Sequence, residues 1–398
     1  MSTKEYASAF RMLLKAWGPA WLVMIADVDA ASVITAAENG ALYGTGLIWL
    51  LVLLTVPLYV VQEVAGRLGT VTGKGLGELM RENFTPGVAT LATLPMAGAD
   101  VLCYAVEYTG IAIGFQIFGI PPIGSVPLVF GLQLLLVATR RDAQVEKALV
   151  LVSVVLALAY AISAYLRVYK GIQFTPVAYY TASPTFLFLL AGNIGSTIMP
   201  FMLFYQASAS AKKGITAQNL WAVRLETAAG AIASELILVV IEVATTGAKA
   251  DSVSGFVSPK VLSFALSSVA GNYAPYIFGI GIISAGFVAL IVISLGSTWG
   301  VADAMGWGKN SRGENWFWVY VLESTPALLI SVLPYNLVNL AIGLLAIQVV
   351  VLIGPAVILG LLASSEALMG IHSLKGFNRI LYWALLLLVV AVGVYGLL

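Results

Sequence analysis

GPAWLVMIADVDAASVITAAENG, residues 18–40, is an apolar stretch of the length that crosses a bilayer. Asp27, Asp29 and Ser32 interrupt it with oxygen-bearing side chains, and many of the residues around them are small. A charged side chain at bilayer depth costs at least ~2.5–3.5 kcal/mol, so it usually faces a cavity or a partner. The stretch therefore predicts a membrane span that carries a polar site.

Composition extends the membrane assignment to all 398 residues. Hydrophobic residues make up 60% of the chain and charged residues 10%, whereas globular domains have roughly 45–50% and about 25%. So few charges could not cover the surface of a soluble protein of this size. The net charge of +1 gives no basic surface for nucleic acid. Cys103 and His372 are the only cysteine and histidine, which excludes an intramolecular disulfide and a multi-histidine zinc site.

About eleven apolar stretches predict an all-α membrane protein. They run over 18–39, 45–62, 88–118, 122–137, 149–165, 184–205, 227–245, 273–299, 316–332, 338–362 and 380–398. We expect one transmembrane domain over 1–398, with a first five-helix repeat over 1–165. The second repeat begins over 184–334 and continues to 362, and an extra helix follows over 379–398. The opening segment leads directly into a span, so we expect no cleavable signal peptide.

The distribution of basic residues predicts the orientation in the cell membrane. With eleven spans and a cytoplasmic N-terminus, sixteen of the 20 Lys and Arg residues fall on the cytoplasmic side. The four on the outside are Arg167, Lys170, Lys249 and Lys260. Because cytoplasmic connections carry an excess of Lys and Arg, we expect a multi-pass protein of the plasma membrane with its C-terminus outside.

Acidic residues occur inside the predicted spans without bases at a comparable depth. They are Asp27, Asp29, Asp100, Glu107, Glu235, Glu242 and Glu323, with Glu38 and Glu63 near span ends. Such acids are either protonated or neutralised by a cation from outside the protein. Oxygen donors suit hard or borderline divalent ions. Asp27 and Asp29, mid-span and close together, are the strongest candidates for a functional site.

The sixth span contains a proline that favours a helix break. Pro200 has no amide proton, and its ring clashes with a preceding carbonyl, so the hydrogen-bond ladder loosens before it. Met199 lies beside this point, and Gly192 and Gly195 precede it. Inverted-repeat transporters build a midplane site from two discontinuous helices. Broken first and sixth spans are therefore expected.

At these two spans the sequence resembles the Nramp family of divalent-metal transporters. The matching motifs are Gly18-Pro19-Ala20, Asp29, Glu38-Asn39-Gly40-Ala41 with Tyr43-Gly44, Met199-Pro200, and Glu107 followed by Gly110. The resemblance implies a fold of LeuT-like inverted repeats with a metal between the first and sixth spans. It further implies these ligands: the Asp29 carboxylate, the Met199 thioether, the backbone carbonyls of Ala26 and Ser196, and Gln348.

Several positions depart from the family pattern. Pro-Gly-Asn after the aspartate becomes Ala30-Ala31-Ser32, so Ser32 replaces an asparagine ligand and nothing in the Ala-Ala pair forces the helix to unwind. The family's two sixth-span histidines become Phe201 and Gln206, and its third-span aspartate becomes Tyr104. Proton coupling needs titratable groups, so we expect transport that is weakly or not proton-coupled.

The sequence therefore predicts a secondary transporter of divalent metal ions. The thioether favours Mn²⁺ over Mg²⁺. Replacement of Asn by Ser and a second carboxylate at Asp27 suit a hydrated Mg²⁺, so Mg²⁺ is a close competitor. Asp27, Glu107, Glu235 and Glu242 are expected beside the ion or along its path.

Other functional classes have less support. A cation-coupled transporter of amino acids or other organic solutes is the alternative on the same architecture, and a channel is not excluded. We expect no enzyme activity and no cofactor, because no Ser-His or His-rich arrangement is present. No strand followed by a glycine-rich loop suggests nucleotide binding. The expected partners are a divalent metal ion and the lipid bilayer, without nucleic acid or nucleotide.

Overall fold

The computed structural model describes residues 16–139, 183–246, 273–307, 314–331 and 337–397, with ten isolated residues in addition: 12, 13, 151, 158, 161, 162, 165, 168, 169 and 171. Within these residues the secondary structure is helical and contains no strand. The helices are α1 (Pro19–Ala26), α2 (Ala30–Tyr43), α3 (Ile48–Thr72), α4 (Leu76–Asn83), α5 (Pro86–Ile117), α6 (Pro122–Thr139), α7 (Pro184–Thr197), α8 (Pro200–Lys212), α9 (Leu220–Thr245), α10 (Ala274–Ala304), α11 (Glu314–Ser331), α12 (Leu337–Ser364), α13 (Glu366–Met369) and α14 (Gly376–Tyr395). The prediction of an all-α membrane protein is confirmed.

Most of these helices can cross a bilayer. In the described ranges, seven helical segments are long and apolar enough, with α7 and α8 taken as one segment, and the bent pair α1 and α2 makes an eighth. Two shorter apolar helices cover Pro122–Ala138 and Phe317–Ser331. The fifth predicted span, 149–165, lies almost wholly outside the described residues, so the count of eleven spans stays a prediction.

The first span is broken, although its sequence lacks the proline and glycine of the family motif. Helix α1 ends at Ala26 and α2 begins at Ala30, with a bend of 53° between them. Asp29 is the N-cap of α2: its backbone is extended, and its carboxylate accepts a hydrogen bond from the Ser32 amide at 2.6 Å. Aspartate is among the best N-cap residues. The Asp29 cap therefore supplies a helix start that Ala30 and Ala31 do not favour by themselves.

The sixth span breaks where the sequence predicts. Helix α7 ends at Thr197, Ile198 and Met199 have extended backbone, and Pro200 opens α8. Proline is favoured at the first helical position, because its missing amide proton is not needed there. The expectation of broken first and sixth spans is thus confirmed, and the two breaks have different causes.

Packing places the two breaks side by side. Helix α1 packs against α8, α2 packs against α7, and α9 packs against both α1 and α2. The carboxylate of Glu226 on α9 accepts hydrogen bonds from the amides of Gly18 at 2.6 Å and Trp21 at 3.0 Å. These bonds satisfy amides at the start of α1 that have no partner within their own helix. The short helix α1 is therefore anchored at its beginning by a different element.

Close approach of helices makes one glycine of the sixth span sensitive to substitution. A Cβ at Gly195 would collide with the backbone carbonyl of Leu345 on α12, whereas a Cβ at Gly98 on α5 would have no atom of another element within 4 Å. We expect Gly195→Ala to destabilise the protein by at least ~1–3 kcal/mol, the cost of overpacking a core. Gly98→Ala should be neutral or slightly stabilising, because alanine favours helix. Thermal unfolding of the two purified variants tests this, and equal melting temperatures would contradict the packing.

Candidate metal site at two helix breaks

The residues predicted to bind a metal lie on the two breaks and are buried. Asp29 is 2% exposed, Ser32 1% and Met199 0%, and Gln348 on α12 is also fully buried. Helix α12 packs against α2, α7 and α8. These residues are far apart in the sequence, and the tertiary structure brings them together on one group of helices that contact each other.

Both breaks leave a backbone carbonyl without its helical donor. In a continuous helix the Ala26 carbonyl would accept from the Ala30 amide, but that amide donates to the Glu107 carboxylate at 3.1 Å. The carbonyl of Ser196 would accept from residue 200, which is a proline and has no amide proton. Freed carbonyls inside a membrane are tolerated where they line a cavity or meet other protein groups. These two carbonyls are the ones that the resemblance assigns to the ion.

Side-chain oxygens at the breaks have spare acceptor capacity. In the described structure, the Ser32 hydroxyl and both carboxylate oxygens of Asp27 are buried without a hydrogen-bond partner. Gln348 donates from its Nε2 to the Cys103 sulfur at 2.9 Å, while its carbonyl oxygen is unpartnered. Cys103 thus fixes the amide of Gln348 in a position that leaves its oxygen free. Unsatisfied buried polar atoms are rare in folded proteins and point to a ligand, water or ion.

Sulfur atoms accompany these oxygens at the second break. Met199 is the N-cap residue of α8, and its backbone amide donates to the sulfur of Met202 at 3.3 Å. Sequence analysis missed Met202, because a methionine in an apolar span is usually packing. The two methionines stabilise the start of α8 in place of the oxygen-bearing side chain that usually caps a helix. A thioether is a soft ligand, and Met199 brings one to the site.

The acids predicted along the ion path separate into two groups. Asp27 interacts electrostatically with both Asp29 and Glu235, and Glu235 lies beside Thr197 at the end of α7. Glu107 also interacts electrostatically with Asp29. These acids therefore lie close to the breaks.

Glu242 shares a helix face with Glu235 but lies elsewhere. Its carboxylate accepts from the Leu47 amide at 3.1 Å, at the start of α3. The carbonyl of Glu242 approaches Gly40, near the far end of α2. Glu242 therefore holds the turn between α2 and α3, about 15 Å along α2 from the break at Ala30.

Glu63 departs from the prediction that the acids of the spans lack bases. It forms ion pairs with Arg67 on the same helix and with Arg224 on α9. The i, i+4 spacing of Glu63 and Arg67 was visible in the sequence, whereas Arg224 is brought in by packing. In the described ranges no such ion pair reaches Asp27, Asp29, Glu107 or Glu235. Within the part of the chain that the structure describes, the site therefore has several acidic side chains and no base in an ion pair with them.

The groups at the two breaks that could bind a cation differ in chemical type. Across the described ranges, no group of three or more His, Cys, Asp or Glu side chains is arranged to hold a metal. Phe201, Gln206 and Tyr104, where the resemblance leads one to expect titratable residues, are buried. A cation at the breaks would have one or two carboxylates, a thioether, a hydroxyl, an amide oxygen and backbone carbonyls.

Comparison with known proteins identifies the family. Residues 20–398 match the sequence model of the family described as natural resistance-associated macrophage protein-like, Nramp. The chain belongs to the Nramp family. It is a multi-pass membrane protein of this family, as the resemblance in its first and sixth spans predicted.

Curated Nramp relatives match parts of the chain. The divalent metal cation transporter MntH of Verminephrobacter eiseniae is 30% identical over 210 residues, which are 51% of this chain and 47% of that protein. The protein of the same name from Erwinia tasmaniensis is 26% identical over 287 residues, or 69% of each chain. The matched part thus spans from about half to about two thirds of these relatives.

Solved Nramp structures confirm the fold. A variant of the Eremococcus coleocola manganese transporter superposes with a TM-score of 0.76 at 18% identity, covering 98% of this chain and 87% of that one. A complex of the same transporter with an aromatic bis-isothiourea compound gives 0.75 at 17% identity. The LeuT-like architecture is therefore shared. The division into repeats over 1–165 and 184–362 stays a prediction.

The bond between Glu107 and Ala30 yields a prediction about metal binding. Glu107→Leu removes the acceptor, so the Ala30 amide is expected to return to the Ala26 carbonyl and withdraw that ligand. We expect Mn²⁺ affinity to fall at least about tenfold, equal to 1.4 kcal/mol. Glu107→Gln retains an acceptor oxygen and should keep most of the affinity. Titration calorimetry on the purified variants distinguishes them, and equal losses in both would assign the effect to the charge instead of the hydrogen bond.

Proposed function

We propose that this Nramp protein transports divalent metal ions across the cell membrane by alternating access, favouring Mn²⁺ with Mg²⁺ a close competitor. The observation that carries the proposal is the pair of adjacent helix breaks. Each break frees a carbonyl, and the uncompensated carboxylate of Asp29 lies on one and the thioether of Met199 on the other. The relatives named as divalent metal cation transporters support it.

In this proposal the metal substrate is held by six groups. They are the carboxylate of Asp29, the thioether of Met199, the hydroxyl of Ser32, the carbonyls of Ala26 and Ser196, and the amide oxygen of Gln348. Five of these donors are oxygens, which accept Mn²⁺ and Mg²⁺ alike. The thioether contributes only to the softer ion. Met199 is therefore the residue that we expect to separate the two ions.

The break between α1 and α2 suggests how access alternates. The two halves of the first span are joined by three residues that make no continuous helix. Such hinges absorb the backbone rotation of a domain movement. We propose that α1 moves relative to α2 and that Glu226, which holds its first amides, releases it when the site opens. The excess of basic residues on one side supports a cytoplasmic location for this end.

The first test of the proposal is Mn²⁺ uptake into proteoliposomes. Asp29→Asn removes the charge that compensates the ion, so uptake should fall at least a hundredfold. Asp303→Asn at the end of α10, away from both breaks, is the matched control and should transport normally. If Asp29→Asn takes up Mn²⁺ as fast as the wild-type protein, the proposal is refuted.

The second test concerns ion selectivity. Met199→Leu removes the sulfur with little change in volume, so the preference for Mn²⁺ over Mg²⁺ should decrease about tenfold. Met96→Leu, a fully buried methionine on α5, should leave the preference unchanged. Competition of Mg²⁺ against Mn²⁺ uptake measures both. An unchanged preference in Met199→Leu would remove the thioether from the site.

The third test concerns coupling. Phe201, Gln206 and Tyr104 carry no group that titrates near neutral pH, so we propose transport with weak or absent proton coupling. Vesicles with an internal pH dye should show Mn²⁺ entry without acidification, while an added protonophore confirms that the dye responds. Acidification that rises with the Mn²⁺ gradient would show proton coupling.

A further inference from the structure

A second group of buried acids lies away from the helix breaks, where α5, α10 and α11 pack together. Asp100 on α5 is 0% exposed and Glu323 on α11 is 5% exposed. The hydroxyl of Ser297 on α10 donates to Glu323 at 2.9 Å and also lies beside Asp100. Both carboxylates therefore approach the same hydroxyl, which has a single proton to donate.

Oxygen atoms around this hydroxyl are left without donors. Both carboxylate oxygens of Asp100 and the second oxygen of Glu323 have no hydrogen-bond partner in the described structure. The ion pairs found in the described ranges reach neither acid. Two uncompensated carboxylates in the membrane interior are costly, so positive charge from outside the protein is expected between them.

The hydroxyl of Tyr104 provides an independent sign of a ligand. Tyr104, fully buried on α5, has an unpartnered hydroxyl and interacts electrostatically with both Asp100 and Glu323. Tyr320 on α11, also fully buried, packs edge-on against Tyr104 at 6.3 Å between ring centroids, and its hydroxyl lies beside Ser324 and Tyr108 instead of the acids. A phenol beside a carboxylate normally donates to it. Its failure to do so here is consistent with oxygens arranged around a cation.

We propose that Asp100, Glu323 and the hydroxyls of Ser297 and Tyr104 form a second divalent-cation site. Two carboxylates neutralise one divalent ion, whereas a monovalent ion would leave a net charge in the membrane. The donors of this second site are all hard oxygens, which suit Mg²⁺ and Mn²⁺ and give no advantage to softer ions. It thus differs from the first site, which includes the thioether of Met199.

The two sites are neighbours along α5. Glu107, next to the first break, and Asp100 are seven residues apart on the same face of the helix, about 10 Å along its axis. Cys103 lies between them and interacts electrostatically with both Asp29 and Asp100. An ion in one site therefore repels an ion in the other at short range through a low-dielectric interior.

Counting bound Mn²⁺ on the full-length protein in nanodiscs tests the second site. Equilibrium dialysis should give two Mn²⁺ per chain, falling to one in Asp100→Asn and in Glu323→Gln, and remaining two in Asp303→Asn. Because Glu107 and Asp100 are only about 10 Å apart along α5, we expect two bound ions to be close enough for dipolar broadening in the electron paramagnetic resonance spectrum of wild type, which either variant should abolish. Added Mg²⁺ should displace Mn²⁺ from the second site before it displaces Mn²⁺ from the site at the helix breaks, because only the site at the breaks has a sulfur ligand.

The outcomes separate this proposal from the proposed function. Asp29→Asn should also leave one Mn²⁺, so retention of two in that variant would refute the first site alone. If wild type binds only one Mn²⁺, the second site is refuted; this is the result expected if Asp100 and Glu323 are protonated. Retention of two Mn²⁺ in Asp100→Asn would refute the second site as well. If Asp100→Asn does not purify as a monodisperse protein, Glu323→Gln and Tyr104→Phe decide by the same count.

Discussion

The hydrogen bond from the Ala30 amide to the Glu107 carboxylate is the contact on which the first helix break depends. It diverts the Ala30 amide, one of the donors that a helix continuing from α1 into α2 would use, while the Asp29 carboxylate satisfies the Ser32 amide. The first turn of α2 is thereby stabilised as a helix start, and the Ala26 carbonyl is left for another partner. A carboxylate from a third element thus shapes a site that it does not need to enter.

The second helix break has a different cause. Pro200 lacks the donor that the Ser196 carbonyl would use, so this break is inherent in the sequence. Packing of α1 on α8 and of α2 on α7 then brings one break caused by a tertiary contact beside one caused by local sequence. Because the first depends on Glu107 and the second does not, the first half of the site is the more adjustable one.

The acidic side chains of the helix bundle differ in whether they form ion pairs. Glu63 at a span end is neutralised by Arg67 and Arg224, whereas the acids deeper in the bundle have no such partners in the described residues. A folded protein retains buried carboxylates without an ion pair where they are protonated or where another species neutralises them. In our proposals a cation binds at each of the two clusters, at Asp29 with a sulfur ligand and at Asp100 with oxygen ligands alone.

The sequence by itself determined the membrane class, most span boundaries, the break at Pro200 and the family, because these depend on composition, on local backbone chemistry and on contiguous motifs. It identified Asp29 and Met199 as the pair to consider. It did not predict that Glu107 opens the first helix, that Cys103 orients Gln348, that Glu242 serves a distant turn, or that Asp100 and Glu323 share one serine. Each of these depends on which side chains meet across helices far apart in the chain, and that was decided only by tertiary packing.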